Sequence, residues 1–263
     1  MSLEWIIPLL FGWIAGWIIN YVSDVLPVTR RFSQPVCPTC GSAYSLTHYL
    51  LFRRCPNGHF RSIRVWVVQI VIMALSLYSF IHPPTRIGYW GGLILMIYFG
   101  IVFVIDMEHR LILHPTSIFG ALLALILGTI TRGLTTALLG GLGGLVILLA
   151  FYYFGVLFAR YRAKRMRAQG IEADDEDALG QGDVILATVL GFLVGWPLIW
   201  ILIIMSTLLG GLISFILVIG LLITRRYNAN ALMMFIPYGP YFLISASLIV
   251  YFPGILRALL PVN

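Results

Sequence analysis

Apolar runs separated by short polar segments dominate this chain, and the runs are apolar on every side rather than along one stripe. Eight of them approach the roughly 20 residues that a bilayer crossing requires. They cover residues 3–21, 65–81, 88–105, 116–130, 134–158, 183–196, 198–224 and 231–252. The sixth is short, opens on Asp183 and closes at a Trp196-Pro197 turn. A short run that begins with a carboxylate predicts a helix shielded by its neighbours. The pattern predicts an all-α, polytopic membrane protein with about eight transmembrane helices.

Composition supports this class. Hydrophobic residues make up 60% of the chain and charged residues 10%, whereas a soluble domain carries about a quarter charged residues. The net charge of +7 sits in the loops, which favours orientation and anionic lipid over nucleic acid. With the N-terminus outside, fourteen of the 17 Lys and Arg fall on the cytoplasmic side. Only Arg86, Arg132 and Arg257 fall outside, so the positive-inside rule fixes the orientation. The N-terminus lacks a basic n-region and a small-residue cleavage site, so the first run is expected to remain in the protein.

Two polar loops are expected at the cytoplasmic face. One, over residues 26–64, holds all three cysteines. The other, over residues 160–182, is basic from Arg160 to Arg167 and acidic from Glu172 to Asp177; it is expected to be a solvated linker. The expected organisation is a first transmembrane helix (1–25), a cysteine-rich cytoplasmic module (26–64) and a membrane domain (65–263). Gly140-Gly141-Leu142-Gly143-Gly144 reads as small-residue helix packing rather than a phosphate loop.

Of the ten carboxylates, five crowd the acidic loop and Glu4 lies near the outer end of the first run. Asp106 closes the third run and Asp183 opens the sixth, both at the expected cytoplasmic boundary. Carboxylates there are costly, and function is the default reading; the alternative is that each caps a helix or pairs with a loop arginine. Two carboxylates sharing a site cannot both ionise cheaply. The ionised one takes a proton from water while the protonated one polarises a scissile carbonyl. Gly180 and Gly182 leave room for a substrate backbone near Asp183. Glu108 is placed on the short loop that follows, while Asn20 and Asp24 read either as polar helix-end groups or as substrate contacts.

Cys37-Pro-Thr-Cys40 is a knuckle that aims two thiolates at one point, and Cys55-Pro-Asn-Gly-His59 can supply two further ligands. Together they predict a structural, tetrahedral Cys3His zinc site, with His48 as the second choice for the fourth ligand. A reduced compartment favours metal over disulfide.

These motifs resemble those of the type IV prepilin peptidases, which are GxGD intramembrane aspartyl proteases. The resemblance spans nearly the whole chain. It rests on the glycine-spaced first run ending in Asn20 and on Asp24-Val-Leu-Pro27 followed by Cys-Pro-x-Cys. It rests further on Ile105-Asp106-Met-Glu-His-Arg, on Gly180-Gln-Gly-Asp183 and on Ile236-Pro237-Tyr-Gly239-Pro240. It implies catalysis by Asp106 and Asp183, with Gly180, Gly182, Pro237, Gly239 and Pro240 in support. It implies a plasma-membrane enzyme that cuts prepilins or pseudopilins after a glycine on the cytoplasmic side. It also implies a second activity, N-methylation of the new terminus from S-adenosylmethionine. Three departures count against that second activity. Ile185 stands where the family commonly has Lys, the cysteine loop is short with three cysteines, and its end reads Arg64-Val-Trp-Val-Val-Gln69. The rival readings are a small transporter or channel using intramembrane carboxylates and a zinc-stapled membrane scaffold; neither needs two matched aspartates beside a glycine-rich turn.

Overall fold

The computed structural model describes residues 3–168, 180–223 and 237–254. Among these the protein is all-helical, apart from one isolated antiparallel bridge between Val36 and Ala43. A 3-10 turn at Leu3–Trp5 leads into α1 (Ile6–Thr29), α2 (Leu46–Leu50), α3 (Ile63–Ile81), α4 (Gly88–His109) and α5 (His114–Arg132). Then come α6 (Leu134–Ala168), α7 (Gln181–Val194), α8 (Leu198–Ile223) and α9 (Gly239–Tyr251). Six of these helices, namely α1, α3, α4, α5, α6 and α8, are long and apolar enough to cross a membrane. They mark a multi-pass membrane protein. At the expected sixth and eighth spans the described residues form shorter apolar helices of 14 and 13 residues. The first part of the expected eighth span, residues 231–236, lies outside the described residues, as does Ile236 of the last motif.

Two compact units divide the chain, residues 1–113 and 114–263. In the first, α1 packs against α3 and α4. Gly12 and Gly16 bring α1 so close to α3 that a Cβ at Gly12 would lie 2.9 Å from the Met73 Cα. That approach lets polar side chains bond across the interface. Gln69 Nε2 donates to the Trp13 carbonyl at 2.8 Å, and Ser76 Oγ donates to the Pro8 carbonyl at 2.8 Å. Asn20 Nδ2 donates to the Val65 carbonyl at 3.2 Å. In lipid such bonds hold helices together where the hydrophobic effect offers no preference.

α1 continues eight residues beyond the expected end at Tyr21 and closes where Arg30 takes a left-handed conformation, φ 54°. Asp24, read as a helix-end group or a substrate contact, lies inside it. Two arginines neutralise that carboxylate, so it does not break the helix. α6 likewise runs through the basic half of the second loop to Ala168. Arg, Lys, Ala and Met are strong helix formers, and the segment contains no Gly or Pro until Gly170. The basic half is therefore helix and not linker; the acidic half lies outside the described residues.

In the second unit α7 is enclosed by α5, α6, α8 and α9. Its face from Val184 to Val194 is largely buried. The Gly140–Gly144 stretch is the packing device expected of it: a Cβ on Gly140 would come 2.3 Å from the Gly191 carbonyl oxygen, and one on Gly144 2.5 Å from that of Ala187. Both obstacles are backbone, which cannot rotate aside. Gly191→Ala is therefore expected to cost about 2 kcal/mol or more, as overpacking does. Gly211→Ala, where a Cβ meets nothing within 4 Å, should change stability little. Thermal unfolding of the two variants in detergent checks this, and equal midpoints would contradict the packing account.

Candidate active site and metal centre

The two boundary aspartates belong to different units and are described separately. Asp106 lies in the last turn of α4, and only 5% of its surface is exposed. The preceding Ile105 anchors that turn in a core with Leu26 and Leu113. The turn ends at Arg110, left-handed at φ 54°, whose N–H donates to the Asp106 carbonyl at 2.9 Å. Glu108, expected on a loop, sits inside this same turn and pairs with Arg64, its Oε1 lying 3.2 Å from Nε. His109 and His114 are exposed.

Asp183 is the third residue of α7, with Gly180 as the N-cap. Its carboxylate accepts from the Gly180 N–H at 3.3 Å, and its own N–H donates to the Gly180 carbonyl at 3.1 Å. A carboxylate in the first turn also suits the positive end of the helix dipole. Asp183 thus does cap its helix. It remains half-buried rather than sunk in the core, so the capping role leaves it accessible. Gln181 reaches the Tyr152 hydroxyl on α6 at 3.4 Å, tying the GxGD turn to that helix. Pro237 precedes α9, and Gly239 and Pro240 are buried in its first turn.

The cysteine segment folds into two small turns. In the first, Cys37 N–H donates to the Ser42 carbonyl at 2.8 Å and Gly41 N–H to the Cys37 carbonyl at 2.8 Å. In the second, Gly58 N–H donates to the Cys55 carbonyl at 2.8 Å, and the His59 N–H points at the Cys55 sulfur at 3.3 Å. Gly41 and Gly58 hold φ of 69° and 84°, a region that glycine enters without steric cost. These turns bring the ligand atoms of Cys37, Cys40, Cys55 and His59 within 4.8 Å of one another. His48, the second choice, is not in the group.

The spacing suits a tetrahedral ion. Zinc bonds of about 2.3 Å to sulfur and 2.0–2.1 Å to nitrogen imply S···S edges of about 3.8 Å and S···N edges of roughly 3.5 Å. Cys40 Sγ to Cys55 Sγ measures 3.8 Å, and Cys55 Sγ to His59 Nδ1 measures 3.4 Å. The electrostatics agree, because the ligand form of cysteine is the thiolate. Hydrogen bonds from Ser42, through side chain and backbone, lower the Cys40 thiol to about 6. Burial pushes the Cys37 thiol up, but the backbone N–H groups of Cys40 and Thr39 outweigh it and its pKa is lowered. The four residues could therefore bind a metal such as zinc.

Behind the cluster, Cys37 and Cys55 pack with Tyr44 and Tyr49, and Trp17 and Tyr21 of α1 close the other side. Burial raises the Tyr44 hydroxyl to about 12, so it stays protonated against the thiolates. Asp24 lies at the edge of this cluster and is neither a bare helix-end group nor open to solvent. Its Oδ2 accepts from Arg61 Nη2 at 2.9 Å and from the Tyr49 hydroxyl at 2.6 Å, while Oδ1 pairs with Arg64. Sequence reasoning counted Arg61 and Arg64 among the cytoplasmic cations and noted Arg64 at the end of the cysteine loop, but gave neither a partner. The one signal that could have found their role was a carboxylate, Asp24, only a few residues past an apolar run.

No curated protein and no solved structure matches this chain. The model of the type IV leader peptidase family matches residues 93–219. The matched stretch begins after the cysteine module and ends before Pro237. That stretch, similar to the type IV leader peptidase family, holds both Asp106 and Asp183.

Proposed function

We propose that this protein is a membrane-embedded aspartyl endopeptidase that removes the leader of type IV prepilins or pseudopilins. Cleavage falls after a glycine, just before the substrate's hydrophobic helix, on the cytoplasmic side. The observation that carries the reading is the family match across both boundary aspartates, with Asp106 nearly fully buried at the end of a membrane-length helix. One aspartate, ionised, takes a proton from the attacking water; the other, protonated, donates to the scissile carbonyl oxygen. The first then returns its proton to the departing amine. No metal takes part, and a zinc held by Cys37, Cys40, Cys55 and His59 is structural, since four protein ligands leave no position for water.

Gly180, Gly182, Pro237, Gly239 and Pro240 shape the approach of the extended substrate. In functional terms the expected parts are a first membrane helix (1–25), a metal module (26–64) and a peptidase part (65–263), with α1 running four residues past the first boundary. The transporter and scaffold readings lose to the family match. The proposal stops at proteolysis, because the short cysteine loop and Ile185 count against methylation from S-adenosylmethionine. The test is cleavage, in membranes, of a short protein that bears a glycine before a hydrophobic helix. A single cut after that glycine supports the reading, and an intact substrate with a folded enzyme refutes it.

The arginine bias places the N-terminus outside and the metal module in the cytoplasm of a cell bounded by this plasma membrane. Arg53 is exposed in that module. A membrane-impermeant maleimide should label an Arg53→Cys variant in inverted vesicles but not in intact cells; labelling in intact cells would reverse the topology.

A further inference from the structure

We propose that Arg64 is a positioning residue for the peptidase reaction: it ties the last turn of α4, which carries Asp106, to α1 through Asp24, and the metal module secures the far side of the same carboxylate. The inference rests on the reading of Asp106 as catalytic.

Ser62 caps α3, its side chain accepting from the Arg64 N–H at 3.3 Å, and so sets where the Arg64 side chain leaves the helix. From there the guanidinium reaches two acids on two other helices. Nε lies 3.2 Å from Glu108 Oε1, and Nη2 pairs with Asp24 Oδ1. On the other oxygen of Asp24 sits Arg61, whose side chain is only 4% exposed. Arg61 lies 4.0 Å above the Tyr49 ring and donates from Nη1 to the Tyr49 carbonyl at 3.1 Å. Tyr49 packs against Cys37 and Cys55. Direct contacts therefore run from two of the metal-site residues to the turn that holds Asp106. The charges alternate, Arg61, Asp24, Arg64 and Glu108, and sum to zero, so the group can be desolvated without stranding a charge.

The need for such a tie is local. The last turn of a helix has carbonyls without intrahelical partners and frays readily. In α4 that turn must hold a buried carboxylate at a fixed place. A displacement of about 1 Å at a reacting group can cost about 100-fold in rate. Arginine suits the task because its long, permanently charged guanidinium can stand between two acids at once, as Arg64 does between Asp24 and Glu108.

The test compares Arg64→Gln, Glu108→Gln, the double variant and Arg64→Lys, purified in lipid and assayed on the glycine-helix substrate. Arg64→Gln should lower kcat by roughly ten- to 100-fold and leave KM within about twofold. Glu108→Gln should lower kcat by about threefold to tenfold. The double variant should be no slower than Arg64→Gln alone, because both changes break one tie. Arg64→Lys should recover part of the loss. A merely structural arginine would instead lower the folded fraction and the unfolding midpoint, with kcat per active enzyme unchanged. Wild-type kcat in Arg64→Gln, or multiplicative losses in the double variant, overturns the inference while leaving Asp106 catalytic. Cleavage that survives Asp106→Asn overturns the underlying reading and this inference with it.

Discussion

Asp106→Asn and Asp183→Asn are each expected to abolish prepilin cleavage while the protein still inserts and accumulates. Asparagine keeps the size of the side chain and part of its hydrogen bonding, but it neither binds nor releases a proton at working pH. In the proposed mechanism each aspartate exchanges a proton in every cycle, so losing either removes the same step. Activity should fall by several orders of magnitude in each single variant, and the double variant should be little worse, as for groups that act as a unit. Folding should hold. At Asp106 the change takes a charge out of a nearly buried site, where desolvation is costly. At Asp183 the amide oxygen of asparagine can still accept the Gly180 N–H that the carboxylate now accepts. Serine-protease inhibitors and metal chelators should leave the chemical step in place. Comparable cleavage by Asp183→Asn, or activity that merely tracks protein abundance, would refute the dyad.

The purified protein should carry about one zinc per chain, and Cys37→Ser combined with Cys55→Ser should abolish it. The effect is large because a structural site binds its ion with roughly 10–16 kcal/mol and lends that energy to the fold around it. Each serine removes a thiolate from a cluster whose Cys40–Cys55 and Cys55–His59 distances match zinc spacing. His59→Ala should also release the ion, whereas His48→Ala should not, since His48 lies outside the cluster. Metal analysis of the four proteins settles the ligand set; stoichiometric zinc in the double serine variant would refute it. Proteolysis should weaken less than in the aspartate variants. In the Arg61–Asp24–Arg64–Glu108 chain the metal module touches the α4 turn only through Arg64, so its loss loosens a support and is expected to leave both aspartates in place.

How much of this was legible in the sequence depended on whether the signal was local. The long apolar runs became helices because every residue in them prefers lipid to water. The cysteine turns were legible because Cys-Pro-x-Cys and Cys-Pro-x-Gly-His fix backbone geometry within a few residues. Asp106 and Asp183 stood out as carboxylates at the edges of apolar runs. What was missed depends on distant partners. Asp24 looked like a group at the end of α1, and its partners Arg61 and Arg64 lie about 40 positions away. Glu108 looked like a loop residue because its tie to Arg64 spans two helices. In α6 charge was mistaken for disorder, when the helix preference of the Arg160–Ala168 stretch was the stronger local signal.

The shortness of α7 has a consequence for the supply of the second reactant. At 1.5 Å per residue, its 14 residues extend about 21 Å, against roughly 30 Å for a hydrocarbon core. The missing thickness is made up either by a thinned bilayer or by polar groups and solvent reaching inward at the ends of α7. The first N–H groups of the helix have no partners within it, and Gly180 and Gln181 are exposed there, so hydration is what that end calls for. Hydrolysis consumes one water for every bond it breaks. In the proposed mechanism, a helix too short to keep lipid continuous around Asp183 would bring that water to the carboxylate.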